Sequence, residues 1–222
     1  KATASMNVIL GDPERVEALA KDFVEHYETR IAEGSTIRGK AIFVSSSREI
    51  VWQFYQELKA LRPVWFEVLA CEEGSTLSEK EQKEIKPMER VKMVMTRGKD
   101  DCKELYDLLG NKDYRKELDR QFKSEKSNFK IAIVVDMWLT GFDVPFLDTI
   151  YIDKPVQRHN LVQTISRVNR KYEGKSKGLV VDYIGIKSQM NLALAKYSKT
   201  DEANIEDVQQ SIVIVRDHLD LL

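Results

Sequence analysis

The chain has 222 residues, 42% hydrophobic and 32% charged, which is enough apolar material for one sizeable core or one core with a small appendage. Its 35 Lys and Arg nearly cancel its 36 Asp and Glu, so no global field draws it onto nucleic acid and any such contact must come from local clustering. Cys71, Cys102 and the three histidines show no metal spacing, no apolar run reaches membrane-span length and Lys1 opens no signal peptide, so no metal and no membrane partner is expected, and a cytoplasmic location is.

Asp12-Pro13 predicts the first helix, with aspartate as N-cap and proline at the first helical position. Val16, Leu19, Ala20, Phe23, Val24 and Tyr27 then recur at the spacing of one buried stripe. Gly34 and Gly39 bracket a turn, and Lys40 to Val44 reads as a short apolar strand suited to a parallel sheet covered on both faces. After Ser45-Ser46-Ser47, a helix running to about Leu61 turns Ile50, Val51, Phe54 and Leu58 inward. The charge-dense stretch 71–90 reads as a surface insertion with one short helix around Ser78 to Ile85. Further strands are predicted at 91–95, 130–135, 149–152 and 178–182, with a helix near Tyr114 to Phe122. This alternation predicts an α/β, doubly wound, mainly parallel sheet with helices on both faces. Past Gly185 the pattern changes to two helices around a polar linker. The expected division is therefore 1–185 for the sheet domain and 186–222 for a short helical extension leading to a following domain. The abrupt start without methionine suggests a piece of something longer.

Ligands of doubly wound sheets bind beyond the carboxyl ends of the strands. Three features are expected there: Ser45, Ser46 and Ser47; the loop Leu139-Thr140-Gly141-Phe142-Asp143; and a helix carrying Gln163, Arg167 and Arg170. The serines could bind phosphate with hydroxyls and amides, or simply cap the next helix. Gly141 could admit a ligand to the backbone or allow a tight turn. Asp143 could bind a ribose hydroxyl, hold an arginine, or cap a turn before Pro145. Arg167 and Arg170, three residues apart, share a helix face and suit the bidentate grip of phosphate; the bland alternative is a surface helix with weak ion pairs. Around them Lys154, Arg158, Lys171, Lys175 and Lys177 form a basic run opposed only by Glu173.

VVDMWLTGFDVP followed by QTISRVNR resembles motifs V and VI of the superfamily 2 helicases and translocases. In detail the chain resembles the motor part of the R (restriction) subunit of type I restriction-modification enzymes, over most of Asp12 to Gly185. The SREI start after KAIFV is similar to that family's motif IV region. The resemblance implies the second of two RecA-like motor lobes, with ATP and Mg2+ held mainly by the first lobe and double-stranded DNA running across both. It implies that Arg167 and Arg170 reach that ATP as arginine fingers, with Gln163 orienting nucleotide or water. Thr140, Gly141 and the serines at 45–47 would contact DNA, and Asp143 would couple that contact to the nucleotide side. The partners implied are the first lobe, the modification (M) and specificity (S) subunits, and duplex DNA. Ser166 stands where superfamily 2 often has glycine, and is small enough for close helix packing.

No GxxxxGK[ST] loop and no DEAH-like acidic box occur in the sequence, so this stretch alone should not hydrolyse ATP. Glu84-Ile85-Lys86 spells the E-x-K of metal-dependent nucleases but lacks strand character, which places DNA cutting outside this chain. The alternatives are another superfamily 2 DNA or RNA helicase, or a non-catalytic interaction module on the same fold. Retention of both the arginines and the Thr-Gly loop favours the enzyme.

Overall fold

Asp12 does cap the first helix: its side chain accepts from the amides of Glu14 and Arg15, and α1 runs Pro13–Ala32 with the expected stripe buried. In the computed structural model the described residues are 7–71, 74–138, 142–156, 163, 166, 168, 170–175 and 178–184, with the backbone of 212–215. Tyr27 donates from its hydroxyl to Gly39 O at 2.6 Å, which closes the turn bracketed by Gly34 and Gly39, both at positive φ.

The apolar runs become strands because each can be buried on both faces. They are β1 (Ala41–Ser45), β2 (Val91–Val94), β3 (Ile131–Val134), β4 (Thr149–Asp153) and β5 (Leu179–Asp182). A sixth strand, β6 (Ile212–Val215), pairs in parallel with β5, Leu179 opposite Ile212. This corrects the helical expectation for those four residues: an isoleucine-valine run favours an extended, sheet-paired backbone. The sheet therefore draws on residues beyond 185. All pairings are parallel and the order is β2-β3-β1-β4-β5-β6.

Alternate residues of each strand feed two cores. On one face α1 and α2 (Arg48–Leu61) pack Phe23, Phe43, Phe54 and Tyr151, with Phe43 and Phe54 stacked at 3.9 Å. On the other, Ile42, Val44, Ala132, Val134 and Ile150 pack against Leu118, Phe122 and residues 142–147. The stretch 71–90 holds the short helix α3 (Glu79–Glu84), closed by a capping box between Ser78 and Glu81. That box and Lys126 pull the Glu81 carboxyl down to about 2. Backbone bridges Leu69–Met88 and Cys71–Ser127 fasten the stretch at the end of the sheet where the strands begin. Helix α4 (Lys103–Leu109) escaped the sequence reading because only Leu105 and Leu109 are buried in it; α5 (Lys112–Phe122) follows as expected.

Candidate functional site

Of the three features expected at the carboxyl edge of the sheet, the serines lie there with Lys154. The Arg170–Asp143 pair lies toward the edge where the strands begin, beside Tyr172, which bonds Glu125, and Lys175, which bonds residues 145 and 147 just before β4. β1 lies between β3 and β4, so the chain changes sides of the sheet between β3 and β4, the arrangement that opens a crevice in doubly wound folds. Lys154 bridges that crossing. Its ammonium pairs with Asp136 and donates to Val135 O at 3.3 Å, joining the two strands that flank β1. Beneath lies Ser45, opposite Asp153 in the register and fully buried. Its hydroxyl and that of Ser46 are buried without a hydrogen-bond partner among the described residues. Ser47 caps α2, accepting from the Ile50 amide at 3.3 Å. Of the two readings for the serines, the structure displays the cap. It does not display the Ser45 hydroxyl to an outside phosphate.

Two ion pairs frame this edge. Arg48, first residue of α2, donates to Thr96 O and to both Asp101 oxygens at 2.6 Å, tying the loop after β2 to the helix. Burial pushes Asp101 up, but the Arg48 guanidinium and the Gly98 amide outweigh it and leave its carboxyl below the ordinary value. Arg15 on α1 reaches Asp153 at the end of β4 and also donates to Leu10 O at 3.0 Å. Burial raises the Asp153 carboxyl above its ordinary value in spite of Arg15.

Thr140, Gly141 and Arg167 lie outside the described residues, but the stems of the Thr-Gly loop are described. Trp138, at φ 67°, stacks on Phe142 at 4.2 Å with the rings 3° from parallel, and both rest on Phe122. Lys123 sits over the Phe142 ring at 4.9 Å. The two ends of the loop are thereby clamped together against α5.

Arg170 Nε lies 3.3 Å from Asp143 Oδ1, and these side chains are 59% and 56% exposed. Asp143 holds an arginine, one of its three sequence-based readings. An exposed pair of this kind is weak, so the guanidinium is displayed rather than consumed. Arg170 follows the helical stretch of Gln163, Ser166 and Val168 rather than lying in it, which corrects the expectation that the helix itself carries Arg170. The Gln163 carbonyl accepts from the Ser166 hydroxyl at 2.8 Å. Ser166 is exposed, so close packing is not its role. That role falls to Gly178, where an added Cβ would sit 2.3 Å from Val168 O. Gly178 thus lets the arginine-bearing stretch lie directly on the start of β5.

The expected basic run is partly spent on internal contacts. Lys154 is paired, and Lys175 donates to Pro145 O and Leu147 O. Burial pushes the Lys175 amine down to about 8, against the opposing pull of Asp148. The E-x-K spelling ends a helix, with Lys86 bound to Glu117 at 3.1 Å, and no group of residues suited to a metal occurs among the described residues. Sequence reasoning missed Arg15, Tyr172 and Gly178 as parts of the site's frame, and met Arg48 only in the SREI word and Lys175 only in the basic run. Their partners are distant in the chain, and no local spacing signals them.

Residues 37–185 match the family model for type I restriction enzyme subunit R domain 3. The chain belongs to the type I restriction enzyme R subunit family. It is 36% identical over 219 residues to the type I restriction enzyme HindI endonuclease subunit of Haemophilus influenzae, covering 96% of this chain and 19% of that protein. It is 34% identical over 195 residues to the putative type I restriction enzyme MjaIXP endonuclease subunit of Methanocaldococcus jannaschii, covering 88% and 16%. A shorter match, 42% over 79 residues, is to the SauCOLORF180P endonuclease subunit of Staphylococcus aureus, covering 35% and 8%. The chain spans a fifth or less of the length of these R subunit relatives. No helix among the described residues is long and apolar enough to cross a membrane.

Proposed function

We propose that this chain is the second of two RecA-like motor lobes of an R subunit, supporting ATP-dependent translocation along double-stranded DNA ahead of endonucleolytic cleavage. The observation that carries the reading is Arg170 displayed beside an all-parallel sheet and held, among the described residues, by the exposed Asp143. A guanidinium in that state suits a phosphate anion from a neighbouring lobe, because it can exchange a weak carboxylate partner for charged phosphoryl oxygens. Arg170, with Arg167 and Gln163, would contact the triphosphate of ATP. Bound there, the nucleotide supplies the phosphoryl-transfer chemistry that drives movement. With no P-loop in the sequence, the phosphate cradle and the magnesium belong to the first lobe.

Arg170 and Arg167 act by placing positive charge where negative charge develops on the transferring phosphoryl group. Thr140 and Gly141, on the loop clamped by Trp138 and Phe142, would contact the DNA backbone. Asp143 follows that loop in the chain and holds Arg170, so it would link the DNA-facing loop to the nucleotide-facing arginine. The modification and specificity subunits would be the partners that deliver the recognised site, and the nuclease centre lies elsewhere in the subunit.

The test is Arg170→Ala in the complete subunit assembled with its partners. Arginine fingers are worth about 10^3–10^5 in rate, so DNA-dependent ATPase should fall to near background while DNA binding and folding persist. Wild-type turnover in that variant removes the assignment.

A further inference from the structure

The segment after the arginine helix is stitched to the segment after the Thr-Gly loop at three points. Arg170 pairs with Asp143. Tyr172 meets Phe146 edge to face, with centroids 5.8 Å apart. Lys175 Nζ donates to Pro145 O at 3.2 Å and Leu147 O at 2.8 Å. The base of this loop is closed where Gly178 lies against Val168, and Leu179 donates its amide to Asp148 O at 2.7 Å. One further bond ties the loop to the frame. The Tyr172 hydroxyl donates to Glu125, which also accepts from Arg38 Nε at 2.9 Å. Residues 170–175 therefore have a fixed post at Tyr172, a grip on residues 145–147 at Lys175, and Arg170 at their leading end.

We propose that residues 170–175 form a coupling strap in which Tyr172 and Lys175 are positioning residues, transmitting displacement of the DNA-side segment 142–147 to the guanidinium of Arg170. This rests on reading Arg170 as a nucleotide contact. The Arg170–Asp143 pair cannot transmit force by itself, because both groups are exposed and can take water instead. Lys175 can, since its ammonium is half-buried and bonded to two carbonyls of the moving segment. Phe146 and Leu147 are buried, so residues 145–147 shift together with the packing beneath them rather than fraying singly. The strap thus joins two groups that the sequence separates by 27 residues.

The experiment uses the complete subunit with its partner subunits and duplex DNA. Lys175→Met and Tyr172→Phe are compared with Arg170→Ala for ATPase kcat, KM for ATP, and the affinity and stoichiometry of DNA binding. Misplacing a catalytic group by about 1 Å can cost about a hundredfold, so each strap variant should lose about tenfold to a hundredfold in kcat. KM for ATP and DNA affinity should change by less than about twofold. Damage to the fold alone would instead lower the number of DNA sites per mole in step with kcat, and that result overturns the strap. So does wild-type kcat in both strap variants when Arg170→Ala is inactive. Wild-type kcat in Arg170→Ala itself overturns the nucleotide reading beneath it. Tyr172→Phe keeps the ring on Phe146 and loses only the hydroxyl, so the idea remains testable if Lys175→Met does not fold.

Discussion

Replacing Arg15 by methionine should destabilise the chain severely, although Arg15 is one residue on a long helix. Its side chain is 11% exposed and its partner Asp153 is fully buried at the end of β4, 138 residues away. Methionine keeps much of the volume and removes the cation. Asp153 is then left in the interior with Asp182 as a charged neighbour that already opposes its ionisation. Removing one partner of a buried pair costs about 3–5 kcal/mol, because the other charge stays desolvated. For a chain of this size each kcal/mol moves the melting temperature by about 2–4 °C, so a fall of about 6–20 °C is expected. Thermal and urea unfolding at pH 7 would measure it. The pH dependence adds a sign. Without Arg15 the native Asp153 carboxyl rises further above its unfolded value, so the native state binds the extra proton. The deficit should shrink as pH falls through that raised pKa and widen again above it. Arg15→Met combined with Asp153→Leu should recover most of the loss, since no buried charge remains. A single Arg15→Met variant within about 1 kcal/mol of wild type, at the level of an exposed pair, would refute the reasoning.

Gly178→Ala should cost about 1–3 kcal/mol, the range for forcing extra volume into a packed site, because its Cβ would meet Val168 O at 2.3 Å. Urea unfolding measures that cost, and DNA-dependent ATPase should fall with it; an unchanged unfolding midpoint would mean that the arginine stretch does not sit on β5. Lys175 should titrate near pH 8, read from the NMR shift of its 13C-methylated amine, and a midpoint at the ordinary 10.5 would contradict its burial. Because its native pKa lies below the unfolded one, the unfolded chain holds more protons from about pH 8 to 10.5, and this group makes stability rise with pH across that window.

Much of the fold was legible in the residues, though not the edge of the sheet at which Arg170 sits. The helix start at Asp12-Pro13, the five apolar strands and the motif words at 130–143 and 163–170 are local patterns whose spacing reports which face is buried. Ser47 shows the limit. A serine after a strand reads alike as a phosphate ligand or a helix cap, and only the fold assigned its oxygen to Ile50 N. Helix α4 and strand β6 were missed for a similar reason: short elements carry little periodicity, and contact with the rest of the sheet decides them.

By itself the sequence determined the class of the fold, the family likeness and the identity of the arginine to test, since each rests on residues close together in the chain. The tertiary structure decided what that arginine is held by and what holds the holder. Asp143 with Arg170, Lys175 with residues 145–147 and Arg15 with Asp153 are all contacts between distant segments. A charge pattern along the chain cannot show which carboxylate will be desolvated or which carbonyl will face an ammonium. Those outcomes depend on strand order and register, which only the folded sheet sets.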